Sequence, residues 1–178
     1  MKILKVGNGS NNYFGDFTSE EISKIKYNCL HPILNLFSGK SNIGDIRIDY
    51  SCKEATHNLD VFEYLEKSNE VFKTVVIDAP YNQKFADKYQ ELGKTQKQFI
   101  IFADVKGTNK LFNLIKEKIN PIRIIIKSWN YYCPKGYFVK ESYLCYAGGY
   151  RKPTILLILE KNNFFEVFNE NKDFKEEK

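Results

Sequence analysis

The amino-acid sequence predicts an α/β fold: a mostly parallel sheet, flanked by helices and completed by a terminal antiparallel hairpin. Short apolar runs, each long enough for one buried strand, alternate with segments of helical periodicity. Such alternation is typical of strands that pair in parallel and are covered on both faces. The last two apolar runs flank a Gly148-Gly149 turn, which indicates the hairpin.

Length and composition favour a single domain. The chain has 178 residues, 43% of them apolar, which suffices for one core. We expect an N-terminal loop and helix over residues 1–31 that caps the fold, an α/β unit over residues 32–165 and a mixed-charge tail over residues 166–178. No apolar run approaches the ~20 residues of a membrane-spanning helix, and residues 1–7 lack a signal-peptide core. These features predict a cytoplasmic, intracellular protein without a membrane partner.

Charge and cysteine content leave several functions open but disfavour metal binding. The net charge of +5 permits a polyanionic partner without requiring one. The four cysteines have no metal-ligand spacing, and the two histidines, His31 and His57, are too few to complement them readily. We therefore expect free thiols and no metal site.

The N-terminal half is predicted to contain two helices and four strands. Thr18 as N-cap and Glu21 three residues later form a capping box at the start of the first helix, which Pro32 stops. The predicted strands cover residues 32–37, 45–50, 55–58 and 71–77, with a second helix over residues 60–67. Only residues 38–44 connect the first two strands, which is short for a parallel crossover of about a dozen or more residues.

The C-terminal half is predicted to contain one more helix and three strands. Residues 82–95 favour a loop with some helix, and residues 96–105 fit a helix or a strand equally well. The remaining predicted elements are a helix over residues 108–118, a strand over 122–126 and an antiparallel pair over 138–146 and 154–159.

The glycine-containing turn after the first strand resembles several nucleotide-binding loops. A Walker A loop would need a glycine where Leu34 stands, so Gly39-Lys40-Ser41 is not part of one. A dinucleotide fingerprint would need glycine at position 41 and a helix N-terminus for the pyrophosphate, whereas the next strand follows at once. The turn therefore favours a cofactor that carries a nucleoside without a phosphate.

Three acidic residues, Asp49, Asp60 and Asp78, follow successive predicted strands. In an open parallel sheet, ligands bind at the carboxyl ends of the strands. There, Asp49 is placed to accept both ribose hydroxyls and Asp60 to accept from an exocyclic adenine amine. Each acid alone is equally compatible with a helix N-cap or a solvated loop. Their succession beside a glycine turn favours one shared site.

The stretch Asp78-Ala79-Pro80-Tyr81 is suited to holding an amino group. The Asp78 carboxylate and the Ala79 carbonyl can each accept one N–H, which leaves the nitrogen lone pair free to attack. Pro80 fixes its own φ and biases Ala79 towards an extended backbone, so the corner is stiff. Tyr81 offers a ring face on which a base can stack, an interaction worth about 1–3 kcal/mol.

Together these motifs resemble the S-adenosylmethionine-dependent amino-methyltransferases, with their nearest likeness in compact viral and archaeal members. The likeness depends on Leu36-Phe37-Ser38-Gly39, Asp49, Asp60 and Asp78-Ala79-Pro80-Tyr81, and it covers roughly residues 32–160. It implies a Rossmann-like, class I methyltransferase fold that binds S-adenosylmethionine and methylates an exocyclic amine of DNA or RNA.

The resemblance also implies a role for each motif residue. Phe37, Ser38 and Gly39 would face the methionine part of the cofactor, Asp49 would hold the ribose and Asp60 the adenine amine. Asp78 would border the cofactor and, with the carbonyl of Ala79, grip the target amine. Pro80 would stiffen the corner and Tyr81 would stack on the target ring. The reaction implied is direct methyl transfer from a sulfonium to the amine.

The acceptor is predicted to be a nucleic-acid base, DNA adenine or RNA. A single-stranded substrate avoids the few kcal/mol that flipping a base out of a duplex costs. Lys84 and the lysines at 88, 94 and 97 can contact phosphates, while Trp129, Tyr131 and Tyr132 can add stacking surface. The alternatives are a solvated lysine loop and aromatic side chains at the edge of the core.

Two positions depart from the family pattern. Ala79 stands where the family has its first proline, and Lys40-Ser41 replaces the second glycine of the cofactor turn. Two other functions therefore stay open. One is methylation of a protein side chain or a small-molecule amine, and the other is a catalytically silent partner subunit that binds the cofactor. The sequence does not decide the oligomeric state.

Overall fold

The structure is a computed structural model that describes residues 1–6, 17–79, 105–146 and 153–162. These residues form a seven-stranded mixed sheet with helices packed against it. The strands are β1 Lys2–Lys5, β2 Ile33–Leu36, β3 Ile46–Ile48, β4 Thr74–Ile77, β5 Arg123–Ser128, β6 Tyr137–Tyr146 and β7 Thr154–Lys161. The helices are α1 Ser19–Asn28, α2 Val61–Lys67 and α3 Val105–Leu114, which continues as a π-helical turn over Ile115–Ile119.

The order of strands across the sheet is β1-β6-β7-β5-β4-β2-β3. Every neighbouring pair is parallel except the two that β7 makes, with β5 and with β6. The predicted α/β fold with a mostly parallel sheet is therefore confirmed, and so is the antiparallel pairing of the last two strands. The Gly148-Gly149 turn between them lies outside the described residues. Within the described part of the chain, no helix is long and apolar enough to cross a membrane.

Helix α1 begins where its capping box predicts. The Thr18 hydroxyl accepts a hydrogen bond from the Glu21 amide at 3.3 Å, and the Glu21 carboxylate accepts one from the Thr18 amide at 2.8 Å. These two bonds satisfy amides that the first turn of a helix otherwise leaves unpaired. The helix ends at Asn28, with Cys29 as its C-cap.

Two apolar clusters lie on the two faces of the sheet. The larger one joins the sheet to α2 and α3 and includes Leu36 and Ile126, whereas the smaller one joins it to α1 and includes Val76 and Ile125. Since successive side chains of a strand point to opposite faces, each buried strand contributes to both clusters. The same alternation determines to which face of the sheet the side chains at the strand ends point.

The predicted strand over residues 55–58 is wrong. Only one bridge, between Ile48 and His57, forms there. The amides of Thr56 and His57 both donate to the Arg47 carbonyl, at 2.9 and 3.1 Å. The Arg47 amide, however, donates to the Thr56 hydroxyl at 2.7 Å and not to a backbone carbonyl. The segment therefore forms no regular ladder of backbone hydrogen bonds with β3. Helix α2 follows it, with Asp60 as N-cap.

Strand β1 was not predicted from the sequence. It pairs in parallel with β6, from Lys2 opposite Tyr143 to Lys5 opposite Tyr146. Its pattern of lysines around Ile3 and Leu4 is weakly apolar, and Ile3 is exposed. Edge strands often carry lysines, which discourage pairing with a further chain, so the pattern suits its place at the end of the sheet.

The short connection between β2 and β3 is possible because its backbone turns sharply. Both strands are parallel neighbours, yet residues 37–45 between them contain no helix. Phe37, Gly39 and Gly44 adopt positive φ values of 59°, 50° and 105°. Asp45 then returns to the start of β2, where its amide donates to the Ile33 carbonyl at 2.9 Å.

Replacing Gly44 by alanine is expected to destabilise the fold by about 1–3 kcal/mol. The new Cβ would lie 3.0 Å from the Ile46 carbonyl oxygen and 3.1 Å from the Asn35 Cβ, at a φ that disfavours side chains. Gly136 is the matched control, because its φ of 94° is similar but nothing lies within 4 Å of a Cβ there. Urea unfolding of both variants measures the difference, and equal losses would contradict the role given to crowding at Gly44.

Candidate functional site

Three of the predicted site residues directly follow the carboxyl ends of neighbouring parallel strands. The last residue of β2, Leu36, is paired with the last residues of both neighbouring strands, Ile48 of β3 and Ile77 of β4. Phe37, Asp49 and Asp78 follow directly on these three residues. They therefore leave the sheet side by side at one edge, which is where an open parallel sheet binds its ligands.

Asp49 is anchored to the glycine turn. One carboxylate oxygen accepts a hydrogen bond from the Gly39 amide at 3.0 Å, and the other accepts from the amides of Ser51 at 3.0 Å and Cys52 at 2.8 Å. A carboxylate has about four acceptor positions, so these bonds leave capacity for about one further donor. The half-buried carboxylate is thus held in place beside the turn and can accept from about one further hydroxyl, not from both ribose hydroxyls as predicted.

The glycine turn is strained and contains an orphaned polar atom. Phe37 has a φ of 59°, which is unusual for a bulky side chain and is found most often at functional sites. The Ser38 hydroxyl is buried and has no hydrogen-bond partner among the described residues. The Ser51 hydroxyl, next to Asp49, is in the same situation. Because an unpaired buried hydroxyl is costly, both fit a site that receives a polar ligand.

Ser41, which belongs to the Lys40-Ser41 pair that replaces the second glycine expected from the resemblance, stabilises this turn. Its amide donates to the Ser38 carbonyl at 2.9 Å. Its hydroxyl accepts from the Ile43 amide at 3.2 Å. Ser41 therefore stabilises the turn through its backbone amide and its hydroxyl.

Asp60 is the N-cap of α2. One oxygen of its carboxylate accepts hydrogen bonds from the amides of Phe62 at 2.9 Å and Glu63 at 3.3 Å. Capping accounts for an acid at this position without any ligand. Since no strand precedes it, sheet pairing does not place Asp60 beside Asp49 and Asp78. Its contact with an adenine amine stays a prediction.

The corner that follows β4 is described as far as Ala79. The Asp78 amide donates to the Leu36 carbonyl of β2 at 3.4 Å, and the Asp78 side chain is half-buried. Ala79 is buried in the larger apolar cluster, which fixes the backbone just beyond Asp78. Pro80, Tyr81 and Lys84 lie outside the described residues, as do the other lysines predicted to contact phosphates.

Lys127 is the site residue that sequence reasoning missed. It lies near the end of β5, and its side chain is only 7% exposed. Its ammonium is 3.1 Å from a carboxylate oxygen of Glu21, whose side chain is 1% exposed. The predicted strand ended at residue 126, so Lys127 was not recognised as part of a buried strand. A lysine directly after the three consecutive isoleucines of a buried strand was the available signal.

The electrostatics around Lys127 favour its charged form. Desolvation by burial is the largest influence and lowers the pKa of Lys127, but the negative charges of Asp78 and Glu21 oppose it and the net pKa is raised. The ammonium also lies 5.1 Å from the centre of the Phe17 ring, a favourable cation–π distance. Lys127 is therefore a buried cation at neutral pH.

The aromatic residues after β5 divide into two kinds. The ring of Tyr132 stacks on that of Phe112 at 4.9 Å, and its hydroxyl donates to Asn109 at 3.3 Å. Tyr132 thus belongs to the edge of the core. Trp129 is half-buried and Tyr131 is 55% exposed. Both follow the strand next to β4, so they lie after the same edge of the sheet as Asp78.

The cysteines do not add a reactive group to the site. All four are free, and burial raises the pKa of Cys29 to about 11 and that of Cys145 to about 12. Both are therefore protonated, weakly nucleophilic thiols at neutral pH. In the described ranges, no three His, Cys, Asp or Glu side chains are grouped closely enough to hold a metal ion.

The functional assignment depends on this chain's own residues, because neither a protein-family model nor a curated protein matches the sequence. At the carboxyl edge of the sheet the chain offers a strained turn and an anchored carboxylate at Asp49. It also offers a second carboxylate at Asp78, beside the buried ammonium of Lys127. Such a site can accept a hydrogen bond from one hydroxyl of a nucleoside and can hold an amine that becomes positively charged.

Proposed function

We propose that the chain is an S-adenosylmethionine-dependent methyltransferase that acts on an exocyclic amine, most readily of a base in single-stranded DNA or RNA. The observation that carries the proposal is that Phe37, Asp49 and Asp78 directly follow three neighbouring parallel strands that end at the same edge of the sheet. The antiparallel β6–β7 pair supports the finer fold assignment, a Rossmann-like class I methyltransferase, because the family resemblance implies it.

The residues of the turn and those that follow β3 fit the cofactor. Ser38 and Ser51 have buried hydroxyls without partners among the described residues, and Asp49 retains capacity for about one donor. No helix begins at the turn, so a nucleoside without a pyrophosphate suits it. Phe37, Ser38 and Gly39 would bind the methionine part and Asp49 the ribose. When bound, S-adenosylmethionine supplies a methyl group activated by its sulfonium.

Asp78 and Ala79 would hold the acceptor. The Asp78 carboxylate accepts one N–H of the amine and the Ala79 carbonyl accepts the other, which aims the nitrogen lone pair away from both. As the nitrogen–methyl bond forms and the sulfur–methyl bond breaks, the nitrogen gains positive charge, which the fixed negative charge of Asp78 stabilises. The nitrogen then releases one proton to solvent. Holding both reactants in a reactive geometry supplies the remaining rate enhancement without a covalent bond to the protein.

Replacing Asp49 by alanine is expected to weaken S-adenosylmethionine binding at least about tenfold, because a hydrogen bond to a charged group contributes about 1.5–3 kcal/mol. Isothermal titration of the wild type and the variant measures the change. Asp45→Ala is the matched control, since Asp45 also accepts a backbone amide, that of Ile33 at 2.7 Å, but stands at the opposite end of β3. Equal affinity in wild type and Asp49→Ala would contradict the ribose assignment.

A further inference from the structure

Asp78 and Lys127 lie side by side on the face of the sheet that α1 covers. Val76 of β4 is paired with Ile125 of β5, and both pack in the smaller cluster against α1. Because side chains alternate along a strand, the residues two positions further on, Asp78 and Lys127, point to that same face. Neighbouring strands are about 4.8 Å apart, so a lysine side chain easily reaches the adjacent carboxylate.

Glu21 fixes the Lys127 ammonium from the other side. One Glu21 oxygen lies 3.1 Å from the ammonium and also accepts the Thr18 amide at 2.8 Å. The capping box therefore holds this carboxylate rigidly, and the carboxylate holds the lysine. A buried ammonium without such a partner would be strongly disfavoured.

The Lys127 ammonium interacts electrostatically with two carboxylates, those of Asp78 and Glu21. The titratable groups that act on Lys127 are Asp78 directly after β4, Glu21 of α1 and Cys145 of β6. The pKa of Lys127 is raised because the first two outweigh desolvation. Cys145 is a neutral thiol, because burial raises its pKa to about 12. A lysine has three N–H donors, so its bond to Glu21 leaves donors that can be directed at Asp78.

We propose that Lys127 is a positioning residue that keeps the Asp78 carboxylate ionised and oriented, with Glu21 as its anchor. The chain Glu21–Lys127–Asp78 links the start of α1 to the corner that would hold the acceptor amine. Its part in methyl transfer rests on the proposed function, whereas the electrostatic coupling of Lys127 to Asp78 does not.

The coupling is testable without any ligand. The double variant Glu21→Gln/Lys127→Met removes both charges of the buried pair, which proteins often tolerate, and glutamine preserves the capping box. The single variant Glu21→Gln is the control that retains the lysine. We expect the carbon-13 NMR titration of the Asp78 carboxyl to have its midpoint about one pH unit or more higher in the double variant, because a neighbouring cation favours the charged carboxylate.

Methyl transfer gives the second readout. The acid limb of the pH–rate profile should move to higher pH in the double variant, with S-adenosylmethionine affinity unchanged. Identical Asp78 midpoints in the folded double variant and in Glu21→Gln would overturn the inference. If the wild type transfers no methyl group, the proposed function fails, while the NMR titration still decides whether Lys127 controls Asp78.

Discussion

Replacement of Asp78 by alanine is expected to reduce methyl transfer by about 10²–10³-fold or more, the loss typical of removing one group that stabilises transition-state charge. The variant loses both the acceptor for one N–H and the negative charge facing the nitrogen. S-adenosylmethionine binding should be unchanged, because the proposed cofactor contacts come mainly from the glycine turn and Asp49. Single-turnover transfer of a labelled methyl group, together with isothermal titration, separates the two effects.

Asp78→Asn is the informative companion variant. Asparagine keeps an oxygen that accepts an N–H but removes the charge, so its rate should lie between those of wild type and Asp78→Ala. Since Asp78 is half-buried, both variants should fold. Wild-type rates in Asp78→Ala would show that another residue holds the acceptor.

Replacement of Glu21 by alanine is expected to destabilise the protein by about 3–5 kcal/mol, the usual cost of removing one partner of a buried ion pair. The change leaves the Lys127 ammonium buried with Asp78 as its remaining described acidic neighbour. It also removes the acceptor for the Thr18 amide at the start of α1. The free energy of unfolding in urea measures the loss.

Two controls isolate the contribution of burial. Lys67→Ala breaks the exposed pair of Lys67 with Glu63, whose side chains are 74% and 53% exposed, so it should cost only about 0.3–0.5 kcal/mol. Adding Lys127→Met to Glu21→Ala should recover part of the stability, because no unpaired cation then remains in the interior. If Glu21→Ala unfolds at the same urea concentration as Lys67→Ala, the buried pair does not stabilise the fold as described.

Local signals in the sequence predicted much of the fold. Thr18 and Glu21 fixed the start of α1 because both capping bonds form between neighbouring residues. The buried strands were visible as apolar runs for a similar reason: their composition alone distinguishes them from loops. Strand β1 was missed because its apolar content is low, and its place depends on pairing with β6, which is distant in sequence.

The candidate site was predictable where it depends on strand ends and not where it depends on contacts across the fold. Asp49 and Asp78 follow apolar strands, and parallel pairing brings such positions to one edge. Asp60 shows the limit of this reasoning, because the segment before it binds β3 through Thr56 and forms no strand. Lys127 shows the other limit: its partner Glu21 is far away in the sequence.

The most direct test of the account is transfer of a labelled methyl group from S-adenosylmethionine by the wild-type chain, offered single-stranded DNA, RNA, duplex DNA and total protein separately. We expect label in single-stranded nucleic acid, located by mass spectrometry of the nucleosides on an exocyclic amine and lost in Asp78→Ala. Label confined to protein would move the acceptor to another class. Absence of label from every acceptor, in a preparation that is folded, would contradict the proposed enzymatic activity.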